Sequence, residues 1–283
     1  MEESKEEAQA EGGPQVQKDQ KRVQAMTKFA LLIGIANYAN PQHRLQGPLN
    51  DVKNFHDVLT NIYEFDERGI VEITDEDASK QKILQYLEAT LSAAAGVQDK
   101  VHVVIFYSGH GTQVPDTDGD EADHLDEAIV PWDFDGSTNS VITDDMIYEC
   151  CAKYYKKGMT IDLIYDSCFS GGMKRTIYHK YIPVDSHYSH LPKATKRIRI
   201  PSMVVWTASK ENQVSEEQEF SYTSVFQVEG VFTHYLVQTI KDYRDVTRSA
   251  IVKLVTQKLK NGGFVQRPRL IGSWTLKNLP LGS

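Results

Sequence analysis

Cysteine is scarce in this chain: 283 residues contain three, and two of them, Cys150 and Cys151, are adjacent. No disulfide framework is expected from such a set, and the sequence reads as a protein of a reducing, cytoplasmic setting. Long apolar runs are also missing. None approaches the ~20 residues of a membrane span, and the N-terminus is acidic rather than signal-like, so no membrane partner is expected. Positive charge is in deficit, with 31 Lys and Arg against 39 Asp and Glu and a formal net charge of −8. Nucleic acid and anionic surfaces need a concentrated basic face, so neither is expected as the main partner. Large apolar side chains are sparse over residues 1–27, which are rich in Glu, Gln, Lys and Gly. That stretch cannot repay the entropy of ordering and reads as a disordered tail. The remaining residues, 28–283, have enough apolar content for one sizeable domain.

What is present alternates between strand and helix. Phe29–Ile35 is a continuous apolar run, and Asn50 can cap a helix that carries Val52, Phe55, Leu59 and Ile62 on one face. Ile70–Thr74, a helix from Ser79 to about Ala95, and Val101–Tyr107 repeat the pattern. Further on come a helix from Asp144 to Tyr155, strands at Ile161–Tyr165 and Met203–Thr207, helices at Val231–Tyr243 and Val246–Leu259, and a short strand near Arg269–Ile271. Crossover units of this kind predict an α/β fold with a mainly parallel central sheet flanked by helices.

Two of the apolar runs end in reactive side chains. Val103–Tyr107 leads into Ser108-Gly109-His110-Gly111, and Ile161–Tyr165 leads into Asp166-Ser167-Cys168-Phe169-Ser170-Gly171-Gly172. The carboxyl ends of parallel strands are where open α/β folds place their ligand crevice, so neighbouring strands would bring His110 and Cys168 together. A thiol of ordinary pKa, about 8.5, is mostly protonated at neutral pH, and a histidine that takes its proton makes it a nucleophile. The glycines allow close backbone approach, and the N–H groups of Gly111 and Cys168 are candidates to hold an oxyanion. Cys150 and Cys151 lack such a setting and read as packing residues.

The chain resembles the metacaspases, of the caspase-like clan of cysteine peptidases. Besides the two motifs above, the likeness includes Leu31–Tyr38, Leu45-Gln46-Gly47 with Asn50-Asp51-Val52, Asp126–Pro131, Ile142–Asp145, Ala208–Ser215 and Gly230–Thr233. The Gln-Ala-Cys-x-Gly signature of true caspases is absent. The resemblance implies a caspase-like three-layer fold, large-subunit-like over 28–172 and small-subunit-like over 201–283, joined by a basic linker at 173–200. It implies a monomeric thiol peptidase, made as a zymogen, whose specificity pocket is formed by Asp51, Ser108 and Asp166 and takes Arg or Lys. Carboxylates there would bind a guanidinium or ammonium and repel the aspartate that caspases select.

The resemblance also implies an activating calcium held by Asp126, Asp144 and Asp145; the family's further carboxylate, seven residues beyond the cysteine, is Arg175 here. Residues 116–127 imitate a calcium loop of the EF-hand type only in part, because Glu121 stands where its sharp turn needs glycine. An enzyme cutting after basic residues could cut its own linker, at Lys174, Arg175, Lys180, Lys193, Lys196, Arg197 or Arg199. The alternatives are a surface loop that merely offsets the acidic remainder, and, for the whole chain, a catalytically silent caspase-like scaffold. A cysteine phosphatase would need arginine where Lys174 stands. No third residue that orients the histidine can be read from the sequence.

Overall fold

The computed structural model describes residues 26–116, 125–169, 180–184, 200–209, 215–222 and 225–283. The elements follow in the order β1 (Thr27–Gly34), α1 (Pro48–Asn61), β2 (Ile70–Thr74), α2 (Lys80–Gly96), β3 (Val101–Ser108), β4 (Gly111–Pro115), β5 (Leu125–Ile129), β6 (Ile142–Thr143) and α3 (Asp144–Tyr154). The second half comprises β7 (Met159–Asp166), β8 (Met203–Thr207), β9 (Glu217–Tyr222), β10 (Val225–Gly230), α4 (Val231–Asp242), α5 (Arg248–Asn261), β11 (Arg269–Gly272) and α6 (Trp274–Lys277). Residues 1–25, where the tail was expected, lie outside the described residues.

Six strands form the central sheet in the order β11-β8-β7-β3-β1-β2. All neighbours are parallel except the last pair, β8 with β11. Each core strand is buried on both faces, and its side chains divide with a period of two. On β1, Leu31 and Ile33 face one apolar cluster with α2 and α3, whereas Ala30 and Leu32 face another with α1, α4 and α5. The same alternation runs along β3, with Val103, Ile105 and Tyr107 on the first face and Val104 and Phe106 on the second. Phe55 of α1 stacks on Phe106 with ring centroids 4.6 Å apart.

A buried polar pair, His102 on β3 and Asp162 on β7, breaks the apolar pattern of the second face. Asp162 on β7 is fully buried and accepts from Arg248 Nε and Nη2 at 2.8 and 2.7 Å, Trp206 Nε1 at 2.8 Å and His102 Nε2 at 2.8 Å. The burial penalty on this carboxylate is outweighed by the Arg248 charge and these donors, which hold its pKa well below the usual range. Arg248 also donates through Nη1 to the carbonyls of Leu279 and Pro280, at 3.2 and 2.6 Å.

Two features depart from the sequence reading. Asn50 does not cap α1: the helix opens at Pro48 after Gly47, and the Asn50 amide instead donates to Val228 O at 2.8 Å. Proline suits the first helical position, where its missing N–H is not needed. Two small antiparallel sheets were not read at all, β4-β5-β6 and the hairpin β9-β10. Their strands are short and polar; Glu217–Tyr222, for example, is EQEFSY.

Candidate active site

The strand order reverses between β1 and β3, which places a crevice at the carboxyl ends of the central strands. The β3–β7 register pairs Ser108 with Asp166 on its last rung. His110 and Cys168 therefore each lie two residues past the same rung, on neighbouring strands. Gly111 follows so closely that a Cβ on it would stand 2.2 Å from the Cys168 carbonyl oxygen.

His110 is held at four points. Its N–H donates to the Tyr38 hydroxyl at 2.7 Å, its carbonyl accepts from the Tyr107 hydroxyl at 2.6 Å, and the His110 carbonyl also takes the Val130 N–H at 3.0 Å. Ring nitrogen Nε2 lies 2.8 Å from the backbone carbonyl of His43. A carbonyl can only accept, so Nε2 carries the proton and the lone pair is on Nδ1, which has no hydrogen-bond partner among the described residues. The orienting group that the sequence left unassigned is thus a main-chain oxygen.

Cys168 is buried, and its thiol donates to the Ser215 carbonyl at 3.1 Å and accepts a short contact from the Ser215 N–H. Burial pushes the thiol up to about 12 and pushes His110 down to about 3. Both members of the pair are therefore neutral at pH 7, and the thiol is engaged by Ser215 rather than ionised.

The reason both are buried is the chain itself. The Lys180 carbonyl oxygen accepts from Gly111 N at 2.9 Å and Cys168 N at 3.1 Å, the two N–H groups nominated for an oxyanion. Lys180 N donates to Ser215 O at 3.3 Å. The side chain is fully buried, with Nζ 2.8 Å from Ser108 Oγ, 3.1 Å from Asp51 Oδ2 and 3.2 Å from Asp166 Oδ1. Burial lowers the pKa of this ammonium, but the pull of Asp166 and Asp51 outweighs it and holds the group above its ordinary value. Burial pushes the Asp51 carboxyl up, with Lys180 pulling against it.

Both carboxylates are fixed from behind. Asp51 accepts from Ser108 Oγ at 2.6 Å and Gly230 N at 2.8 Å. Asp166 accepts from Ser215 Oγ at 2.8 Å and from Thr233 N and Oγ1, at 3.0 and 2.7 Å, in the first turn of α4, where a helix end favours negative charge. A third acid, Glu217, is buried nearby and accepts from the N–H groups of Gln46 and Gly47. Gly230 closes the pocket: a Cβ there would stand 2.1 Å from Asp166 Oδ2 and 2.5 Å from Lys180 Nζ. Sequence reasoning assigned Asp51, Ser108 and Asp166 to the pocket; Ser215 and Gly230 it placed only within blocks of family resemblance, and it missed Glu217 and the carbonyl of His43.

The remaining predicted residues are placed unevenly. Asp126 is buried on β5 and Asp144 and Asp145 open α3, with the pairing of Ala128 and Thr143 directing both segments to one end of the small sheet. Among the described residues no three His, Cys, Asp or Glu side chains converge into a metal site. Lys174, Arg175, Lys193, Lys196, Arg197 and Arg199 lie outside the described residues. Cys150 and Cys151 sit in α3, and burial raises both thiols.

A mainly parallel α/β sheet with a histidine and a cysteine at adjacent strand ends defines the caspase-like class of folds. Residues 28–176 match the family model described as metacaspase, peptidase C14 domain, and the chain belongs to that family. Metacaspase-1A of Neurospora crassa is 38% identical over 150 residues, 51% of this chain and 32% of that protein. Metacaspase-1 of Schizosaccharomyces pombe is 38% identical over 147 residues, 50% of this chain and 34% of its own, and Metacaspase-1 of Saccharomyces cerevisiae 34% identical over 145, 50% and 33%. The match thus spans about a third of the length of these relatives. A crystal structure of a Geobacter sulfurreducens protein shares the fold, with a TM-score of 0.64 at 18% identity over 91% of this chain and 98% of that one. No helix among the described residues is long and apolar enough to cross a membrane.

Proposed function

We propose that this chain is a cysteine endopeptidase that cuts after Lys or Arg and is held closed by its own Lys180 until it is cut there. The observation that carries the reading is the position of Lys180, with its ammonium against Asp51 and Asp166 and its carbonyl oxygen on two backbone N–H groups beside the thiol. A residue held this way is in the position of a substrate whose next bond is to be broken.

The chemistry follows from the groups present. His110 Nδ1 takes the Cys168 proton as sulfur bonds to the carbonyl carbon after the basic residue, and the resulting oxyanion is held by Gly111 and Cys168 N–H. The C–N bond then breaks, and His110 returns the proton to the leaving amine. Water adds to the thioester with His110 as base, releasing the carboxylate and restoring the thiol. Nothing in these steps runs through a metal. Calcium dependence is proposed on the family resemblance alone, with Asp126, Asp144 and Asp145 as ligands.

The test is hydrolysis of matched fluorogenic peptides ending in Arg, Lys or Asp, with calcium and with chelator, using Cys168→Ala as the blank. Turnover of Arg and Lys peptides that the blank lacks is the expected result. Turnover indifferent to chelator would remove the calcium limb only, and silence on all three would favour the scaffold reading.

A further inference from the structure

The segment lying across the site extends past Lys180, and its burial alternates. Lys180 is buried, Tyr181 is half-buried, Ile182 is buried at 6% exposure, Pro183 is exposed and Val184 is half-buried. An extended chain pointing alternate side chains inward gives this pattern. Gly111 engages it from both sides of one residue: its N–H donates to Lys180 O at 2.9 Å, and its carbonyl accepts from Ile182 N at 3.1 Å. The two segments thus form a parallel bridge centred on Gly111 and Tyr181. Ile182 enters the apolar cluster that includes Val114, Phe169 and Ile200.

We propose that the site also reads its substrate beyond the cut, requiring an apolar side chain at the second residue after the scissile bond. This rests on the reading of Lys180 as a bound substrate residue. The bridge to Gly111 uses main-chain atoms and is indifferent to sequence, so it sets the register. The selective element is the slot occupied by Ile182, where a carboxylate or ammonium would be buried without a partner.

The test uses the full chain in a state that hydrolyses a fluorogenic Arg peptide, a reporter with no amino acid after the cut. Internally quenched peptides carrying Lys-Tyr-Ile, Lys-Tyr-Ala and Lys-Tyr-Asp at their centre are compared by kcat/KM. The Ile peptide should exceed the Asp peptide by about tenfold or more, with Ala between. In the chain itself, Ile182→Asp should slow cleavage after Lys180 where Ile182→Val does not. Equal rates for Ile and Asp, with the reporter turned over, would overturn this inference and leave the peptidase reading intact. A silent reporter would overturn both.

Discussion

His110 and Cys168, at the ends of neighbouring strands, are both neutral at pH 7, and that property sets how the site answers to pH. The unfolded thiol loses its proton near its ordinary value, 9.0, while the folded one keeps it to about 12. The unfolded chain therefore binds fewer protons across that interval, and the contribution of Cys168 to stability, complete below 9, is lost as pH rises toward 12. The urea midpoint of the wild type should accordingly fall relative to that of Cys168→Ala between pH 8 and pH 11; parallel curves would refute it. For chemistry, His110→Ala should lower kcat/KM on Arg peptides by roughly 10²–10⁴-fold. Gly230→Ala should be nearly as damaging despite its distance from the thiol, since its methyl carbon would stand 2.1 Å from Asp166 Oδ2. Thermal unfolding of that variant separates a filled pocket from a failed fold. At this scale the sequence was informative where a side chain does the work, as with His110, Cys168, Asp51 and Asp166. It was silent on the roles of the His43 carbonyl and of the Ser215 N–H and carbonyl, main-chain groups that any residue type supplies.

In the proposed reading, the short segment at 180–184 carries the regulation. Lys180→Ala removes the ammonium that Asp51 and Asp166 share, so the segment should lose its seat. Intact mass should then show no cut between residues 180 and 181, and iodoacetamide should label Cys168 about tenfold faster or more than in the uncut wild type. Unchanged labelling would mean that the segment is held by Ile182 and the Gly111 bridge alone. Central strands and long helices were legible in advance, because their apolar residues repeat with periods of two or 3.6. The β4-β5-β6 sheet and the β9-β10 hairpin were not, because their strands are short and polar; the hairpin is tied to the start of α1 by contacts distant in sequence, Asn50 with Val228 and Gly47 with Glu217. Among the seven basic candidates in the linker, charge alone offered no choice; Lys180, the one that lies among the described residues, has its ammonium against Asp51 and Asp166.

For the molecule as a whole, the Asp162 cluster joins β3, β7, β8, α5 and the carbonyls near Pro280 through one buried carboxylate. Removing a partner leaves that charge uncompensated, so Arg248→Met should destabilise the fold by roughly 3–5 kcal/mol, read from urea unfolding. A loss below about 1 kcal/mol would show that the cluster contributes little. The position of Lys180 between β7 and β8 has a further result. Those two strands are neighbours in the sheet, and Arg248 on one side of the cut clasps Asp162 on the other. Severing the chain after Lys180 is therefore a nick rather than a division: two bands on a denaturing gel should elute as one particle on a sizing column, with the new ends free to part while the sheet stays whole.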